Sequence, residues 1–485
     1  MLFNSLAYLI FLPIVVTLFW VCPKRCRTII LLLASYVFYM SWKPIYGLLI
    51  VGLTALNYVF GLLIASNEKR KKLLLTLAVA SNLLLLAYFK YTYFLIDTAN
   101  QCLASFAQKI PNPSFEIILP LGISFFVFEF IHYVVDVYKG GKPVKSPIDF
   151  ALFASFFPTQ IAGPIKRYQD FIPQLSDHGS FKLKYFDEGL WLIIFGLFKK
   201  VIFADNLAAV VNSGFARPDL LTGFDLWLVV YAFAFEIYFD FSGYTDIARG
   251  SALLFGYKVP PNFNLPYLAS SIAEFWHRWH ISLSTWLRDY LYIPLGGSRC
   301  SKWFNYRNLF LTMALGGLWH GASMHFLIWG AYQGIMLILH KEFTLLAEKI
   351  GALNKLRQTK FFKLASILLT FHVVCIGWVF FRASNMAECS AIMQRLFFLE
   401  PSMSFSQLAS LTIVNIQDPI IYMLLPIVLA LLAGGQILSG WIESKKDSGG
   451  LSIPMPLRAA AIAVLIGLLI IFTPDTSPKF IYFQF

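Results

Sequence analysis

SIAEFWHRWHISLSTWLRDYLYIPLGGSR, residues 271–299, and NLFLTMALGGLWHGASMHFLIWGAY, residues 308–332, are the segments on which the reading of this chain turns. With the basic link between them they hold four of the eight histidines: His277, His280, His320 and His325. They also hold six of the twelve tryptophans, at 276, 279, 286, 303, 319 and 329. His320 stands in an apolar run among Gly316, Gly317 and Gly321. An ionisable side chain is costly in lipid, so one placed there marks a candidate functional site.

Outward from these segments the chain reads as a membrane scaffold. Of its 485 residues 58% are hydrophobic and 13% charged, against about 25% charged in soluble domains. Apolar runs of the roughly 20 residues a span needs recur from end to end. The first, Leu6–Val21, has no Lys or Arg before it and no small-residue cleavage site after it, so it reads as a retained span. The excess of 39 Lys and Arg over 26 Asp and Glu, +13, fits basic cytoplasmic loops better than nucleic-acid binding. The six cysteines show neither CxxC pairing nor metal-ligand spacing.

Spans at Leu6–Val21, Thr28–Trp42, Ile45–Ser66, Leu73–Tyr88 and Ile117–Val137 alternate with basic loops in a way that puts the N-terminus outside. The segment 148–165 is broken by Pro158, Gly163 and Pro164 and followed by Lys166 and Arg167. It reads as entering and leaving on one face, with irregular backbone sheltered by protein beside a cavity. Leu190–Val211 reads as a span that carries Lys199, Lys200 and Asp205, and its lysines fit snorkelling to an interface. Leu226–Phe255 embeds Glu236, Asp240, Asp246 and Arg249, charges expected to pair or to line a pocket. Ser271 and Glu274 have capping-box spacing, so a helix is expected from there to about Tyr292, with Glu274 and Arg278 paired at i,i+4. Asn308–His340 reads as a broken helix followed by a span. Phe361–Phe381, Ile420–Trp441 and Ala459–Phe472 complete the set, and no separate soluble domain interrupts residues 1–485.

On a continuous helix His277 and His280 are i,i+3 neighbours, and Trp276, His280 and Ser284 share a face. His320 fits either a base that takes a proton from a hydroxyl or a core histidine bonded to a carbonyl. His280 is open between a functional role and an interfacial side chain. His277 reads as interfacial, and His132, His325 and His372 as satisfied core residues. A zinc site built from these histidines with Asp240 or Asp246 lacks the HExxH spacing and any helping cysteine. No P-loop, no dinucleotide fingerprint and no GxSxG elbow is present.

The segments at 275–294 (FWHRWHISLSTWLRDYLYIP), 315–322 (LGGLWHGA), 238–244 (YFDFSGY), 161–165 (IAGPI), 119–125 (LPLGISF) and 482–485 (YFQF) resemble the membrane-bound O-acyltransferases. The likeness is to the bacterial branch that O-acetylates alginate, and it covers essentially the whole chain in the same order. It implies an all-α polytopic membrane fold of about eleven transmembrane helices plus re-entrant helices around a central tunnel. It places the family's near-invariant histidine on His320 and a second signature histidine on His280. Asp289, Asp240, Arg249, Trp319 and Ser284 are weaker candidates for lining the tunnel. Many relatives carry Arg at position 277, which sets His277 aside. The implied reaction passes an acetyl or other acyl group from a cytoplasmic thioester, acetyl-CoA or another, to a polysaccharide outside, with no bound cofactor or metal. Alginate or a similar exopolysaccharide is the expected acceptor, with peptidoglycan O-acetylation and teichoic acid D-alanylation as alternatives. SGNH-type extracytoplasmic partner proteins and a bacterial inner-membrane location are expected, and no nucleic acid. A transporter with a histidine proton relay is the competing class.

Overall fold

A computed structural model describes residues 1, 3–103, 109–176, 181–397, 427–432, 434–435, 455–472 and 480–481, and every regular element among them is helical. The 482–485 segment and most of the expected 420–441 span lie outside the described residues. Two compact units share the chain, Met1–Gly196 with Tyr244–Pro261, and Leu197–Gly243 with Asn262–Phe485.

The first unit begins with α1 (Leu6–Val21), α2 (Lys24–Met40), α3 (Ile45–Ser66) and α4 (Lys71–Leu86). A π turn (Ala87–Tyr91) joins α4 to α5 (Thr92–Leu103). Then come α6 (Ile123–Tyr138), α7 (Pro147–Ser155), α8 (Tyr168–Ser176) and α9 (Leu183–Phe198). With little hydrophobic force between helices in lipid, small and polar residues join them. Asn57 of α3 and Asn82 of α4 exchange amide hydrogen bonds of 3.2 and 2.7 Å, and both are fully buried. Gly61 gives its space to the Tyr133 ring of α6, whose hydroxyl would lie 2.3 Å from an added Cβ. Between α7 and α8 the chain is irregular, and protein buries it, as expected of such backbone at membrane depth. Lys166 departs from the loop expectation. It is 2% exposed and donates to both Glu129 carboxylate oxygens of α6, at 2.8 and 2.9 Å.

The second unit contains a π turn (Lys199–Ala204), α10 (Asp205–Ala216) and the first part of α11 (Gly223–Leu254), whose last residues belong to the first unit. It continues with α12 (Ile272–Arg278), α13 (Ile281–Leu287), a π turn (Arg288–Tyr292), α14 (Lys302–His320) and α15 (Met324–Lys349). Further on come α16 (Gly351–Arg357), α17 (Lys360–Arg382), α18 (Met386–Phe397) and α19 (Met455–Phe472). α14 and α15 pack as a tight hairpin because glycines face each other. An added Cβ on Gly317 would lie 2.3 Å from the Phe326 carbonyl, and one on Gly330 would lie 2.2 Å from that of Met313. The expected break falls at residues 321–323, between these helices.

Among the described residues three helical stretches combine the length and hydropathy of a membrane span: Ile45–Ser66, Lys71–Leu103 and Lys360–Arg382. Leu6–Val21 and Ala460–Leu469 are shorter apolar helices. The chain is a membrane protein with an all-helical fold.

Candidate active site

The helix expected across residues 271–292 starts where the sequence puts it and then breaks. Ser271 Oγ accepts from the Glu274 amide at 3.1 Å, and the Glu274 carboxylate accepts at 2.7 Å from both the amide and the hydroxyl of Ser270. Glu274 pairs with Arg278 at 2.6 Å, the expected i,i+4 contact. The helix stops at Arg278, and His280 adopts left-handed backbone angles, φ 42° and ψ 54°. Non-glycine residues seldom occupy that region. The break removes the facial alignment of Trp276, His280 and Ser284 that a continuous helix would give.

Asn262 holds the restart. Its carbonyl accepts from the Ile281 amide at 3.0 Å, and its side-chain oxygen accepts from Ser282 N at 3.2 Å and Ser282 Oγ at 2.6 Å. This fully buried asparagine was not singled out from the sequence. Nothing in Pro-Pro-Asn marks a partner 20 residues downstream.

The turn sends the His280 ring inward, fully buried, against Phe241 of α11 at a centroid distance of 4.6 Å. His320 is the last residue of α14 and is 6% exposed. Its ring lies 6.5 Å from that of His280, so side chains 40 residues apart in sequence meet. Aromatic faces enclose the pair: Trp319 at 4.9 Å, Trp329 at 5.2 Å and Phe381 at 5.4 Å from the His320 ring. Trp378 stacks behind Trp329 at 5.9 Å and is held by its own indole N–H, which donates to Tyr267 Oη at 3.2 Å. Charge developing in so apolar an enclosure interacts strongly with any group placed to meet it.

A pocket of about 380 Å³ opens next to this assembly, walled in part by Trp276, Ser284, Arg288 and Thr312. The Trp276 indole N–H is buried and finds no hydrogen-bond partner among the described residues. Ser284 Oγ donates to the Trp279 carbonyl at 3.1 Å. Asp289 sits on the π turn and accepts from Arg288 Nε at 2.7 Å. His277 is exposed and bonded to the Ala273 carbonyl at 2.6 Å. His325 bonds the Phe380 carbonyl at 3.0 Å, and His372 bonds Tyr231 Oη at 2.8 Å. Each of the three thus has a hydrogen-bond partner, and His325 and His372 are partly buried rather than in the core.

Asp240 belongs to a buried cluster one residue from Phe241. Lys200 Nζ bridges Asp205 Oδ1 at 2.8 Å and Asp240 Oδ1 at 2.6 Å, with every side chain no more than 9% exposed. Lys200 therefore does not snorkel. The π turn explains the pairing. The Asp205 amide bonds the Lys200 carbonyl five residues back, which brings i and i+5 onto one face. The other Asp240 oxygen accepts from the Ile481 amide at 2.7 Å. Arg249, in the first unit, stands 3.8 Å from Asp246 and is not part of this cluster. Among the described residues no three His, Cys, Asp or Glu side chains group as a metal site.

The sequence profile of the membrane-bound O-acyltransferase family matches residues 134–381, just over half of the chain. The probable alginate O-acetylase AlgI of Pseudomonas aeruginosa PAO1 is 44% identical over 402 residues, covering 82% of this chain and 75% of the relative. The protein of the same description from Azotobacter vinelandii is 39% identical over 517 aligned positions, covering 100% of both chains. The peptidoglycan O-acetyltransferase of Helicobacter pylori 26695 is 38% identical over 393, covering 75% of this chain and 72% of its own. The paired histidines at 280 and 320 lie inside the matched region, in the stretches that carried the resemblance, and the chain belongs to the membrane-bound O-acyltransferase family.

Proposed function

We propose that this chain O-acylates a polysaccharide across a bacterial inner membrane, taking an acetyl group from acetyl-CoA or a similar thioester. The acceptor is alginate or a similar exopolysaccharide, as in the relatives that match over most of the chain. The observation that carries the mechanism is the 6.5 Å approach of His280 and His320 inside a buried aromatic enclosure.

His320 takes the proton of the acceptor hydroxyl as its oxygen attacks the thioester carbonyl. The new C–O bond forms, the C–S bond breaks, and the departing thiolate recovers the proton from the imidazolium. Proton transfer of this kind contributes about 10²–10⁴-fold. His280 orients His320 or meets the charge that develops beside it. The pocket at Trp276 and Ser284 receives the donor arm, and the Trp276 N–H is free to meet a carbonyl oxygen there. Asp240 and Trp319 shape the site, Asp289 acts at its approach, and no metal or bound cofactor takes part.

The fold around this chemistry is one transmembrane domain of about eleven spans and re-entrant helices, N-terminus outside, with a tunnel joining the faces. Neither substrate then crosses the bilayer. Extracytoplasmic partner proteins of the SGNH type present the polysaccharide hydroxyl to the chain.

The test is the ester content of surface glycans in a deletion strain carrying wild type, His320→Ala or His280→Ala, with protein levels matched by immunoblot. Wild type restores O-acetyl groups and His320→Ala does not, and the glycan bearing the ester identifies the acceptor. Full restoration by His320→Ala makes that histidine structural and ends the mechanism. Movement of substrate without ester formation makes the chain a transporter.

A further inference from the structure

We propose that the groove between α15 and α17 is a binding site for an anionic phospholipid. The groove encloses about 780 Å³ and is separate from the pocket at Trp276. Leu339 and Phe343 from α15 and Leu369 and Val373 from α17 make its walls mostly apolar, with Ser366 and Thr370 among them and Ser270 and Ser271 also lining it. Its mouth is cationic, formed by Arg357, Lys360 and Lys363. None of these three cations makes an ion pair among the described residues. Of the two α15 carboxylates near them, Glu342 already holds Lys302 at 2.6 Å, and Glu348 is exposed.

The position of the mouth decides the class of ligand. α17 is one of the span-grade helices, so Lys360 and Lys363 in its first turn mark where the span leaves the hydrocarbon. Residues 341–363 carry six Lys and Arg against two Glu. Such an excess marks the cytoplasmic side, where anionic lipids concentrate and attract basic residues near the surface. The N-terminal amides of this 23-residue helix add partial positive charge at the same point. Thr359 accepts from the Phe362 amide through its hydroxyl at 3.2 Å and from the Lys363 amide through its carbonyl at 3.1 Å.

The walls decide between a lipid and a soluble phosphate. Leu339 and Leu369 are 54% and 67% exposed, and Leu364 and Leu368 beside the groove are 57% and 53% exposed. The groove thus runs on into the face that α17 turns to acyl chains. A lipid lays its chain along that face and its phosphate among the three cations. A soluble anion would leave the walls wet. Arg357 is already positioned over the Phe343 ring at 5.8 Å, and Phe343 stacks on Phe362 at 6.3 Å, which steadies the mouth.

The experiment is native mass spectrometry of the detergent-purified full chain, titrated with dioleoyl phosphatidylglycerol or dioleoyl phosphatidylcholine. The expected result is one retained phosphatidylglycerol and no retained phosphatidylcholine. The triple variant Arg357→Gln, Lys360→Gln, Lys363→Gln should weaken retention on the order of a hundredfold, at about fivefold per cation. Ala365→Trp fills the groove without changing its charge and should also abolish retention, which keeps the test decisive if the triple variant fails to fold. Neutralising Lys69, Arg70 and Lys72, a basic loop elsewhere, should change nothing. His320→Ala should bind phosphatidylglycerol like wild type, so failure of the catalytic reading leaves this one standing. Equal retention of phosphatidylcholine overturns the proposal, as does wild-type retention by Ala365→Trp. Displacement of the bound lipid by coenzyme A also overturns it and reassigns the groove to a soluble phosphate donor.

Discussion

Replacing Gly317 with alanine places a Cβ 2.3 Å from the Phe326 carbonyl oxygen and 2.9 Å from Gly330 Cα. Both neighbours are backbone of α15, so no rotamer change relieves the clash. Ordinary contact begins near 3.4 Å, and 3.4 minus 2.3 leaves a separation of 1.1 Å for the helices to find. Overpacking of this kind costs about 1–3 kcal/mol. His320 lies three residues further along α14, and Trp329, which encloses it, is next to Gly330. The helix separation therefore acts on the enclosure itself, and a 1 Å misplacement of catalytic groups lowers rates by about 10²-fold. Gly316 is the internal control, since its added Cβ meets only the tip of Leu287, at 3.2 Å. Ester content of surface glycans at matched protein level should fall about a hundredfold in Gly317→Ala and change little in Gly316→Ala. Wild-type transfer by Gly317→Ala, or equal loss in both variants, would refute the argument that the close helix approach sets the histidine geometry.

Other outcomes follow from the buried polar groups. Lys200→Met leaves Asp205 and Asp240 facing each other without their cation and should cost about 3–5 kcal/mol, read as a lower unfolding midpoint in detergent. Neutralising both carboxylates as well (Lys200→Met, Asp205→Asn, Asp240→Asn) should recover part of that loss, and a triple variant no more stable than the single one counts against the ion-pair account. Asn262→Ala strands two buried donors on Ser282, at about 1–3 kcal/mol each, and frees the turn at His280. Transfer should drop in that variant at preserved protein level, and normal transfer would mean that Asn262 does not position His280.

Much of this arrangement is legible in the chain because its signals are local. The capping residues at 271–274 start α12 at the expected place, and the glycines around His320 end α14 there. The Glu274–Arg278 pair follows from helical periodicity alone. What stayed hidden depends on distant partners. His280 takes a left-handed conformation without a glycine to announce it, because Asn262 and the Phe241 ring settle the turn from elsewhere in the fold. Lys166 and Lys200 look like loop and interfacial cations until Glu129, Asp205 and Asp240 are brought to them. Of those three carboxylates only Asp205 is close in sequence, and its i,i+5 spacing is off the face of an α-helix. The meeting of His280 with His320 needs the α14–α15 hairpin, which sequence spacing does not express.

The wide turn at Lys199–Ala204 makes the residue count of that stretch a determinant in its own right. A π turn bonds i to i+5 where an α turn bonds i to i+4, so removing one residue, such as Val201, would let the helix close regularly. After that deletion Lys200 and Asp205 would stand at i,i+4, which still shares a face of an α-helix, and the segments on either side would keep nearly the same relative phase. The count can therefore fall by one without parting the pair but cannot rise. A single-residue deletion at Val201 should be tolerated better than a deletion inside the regular part of α10, which rotates everything beyond it by about 100°.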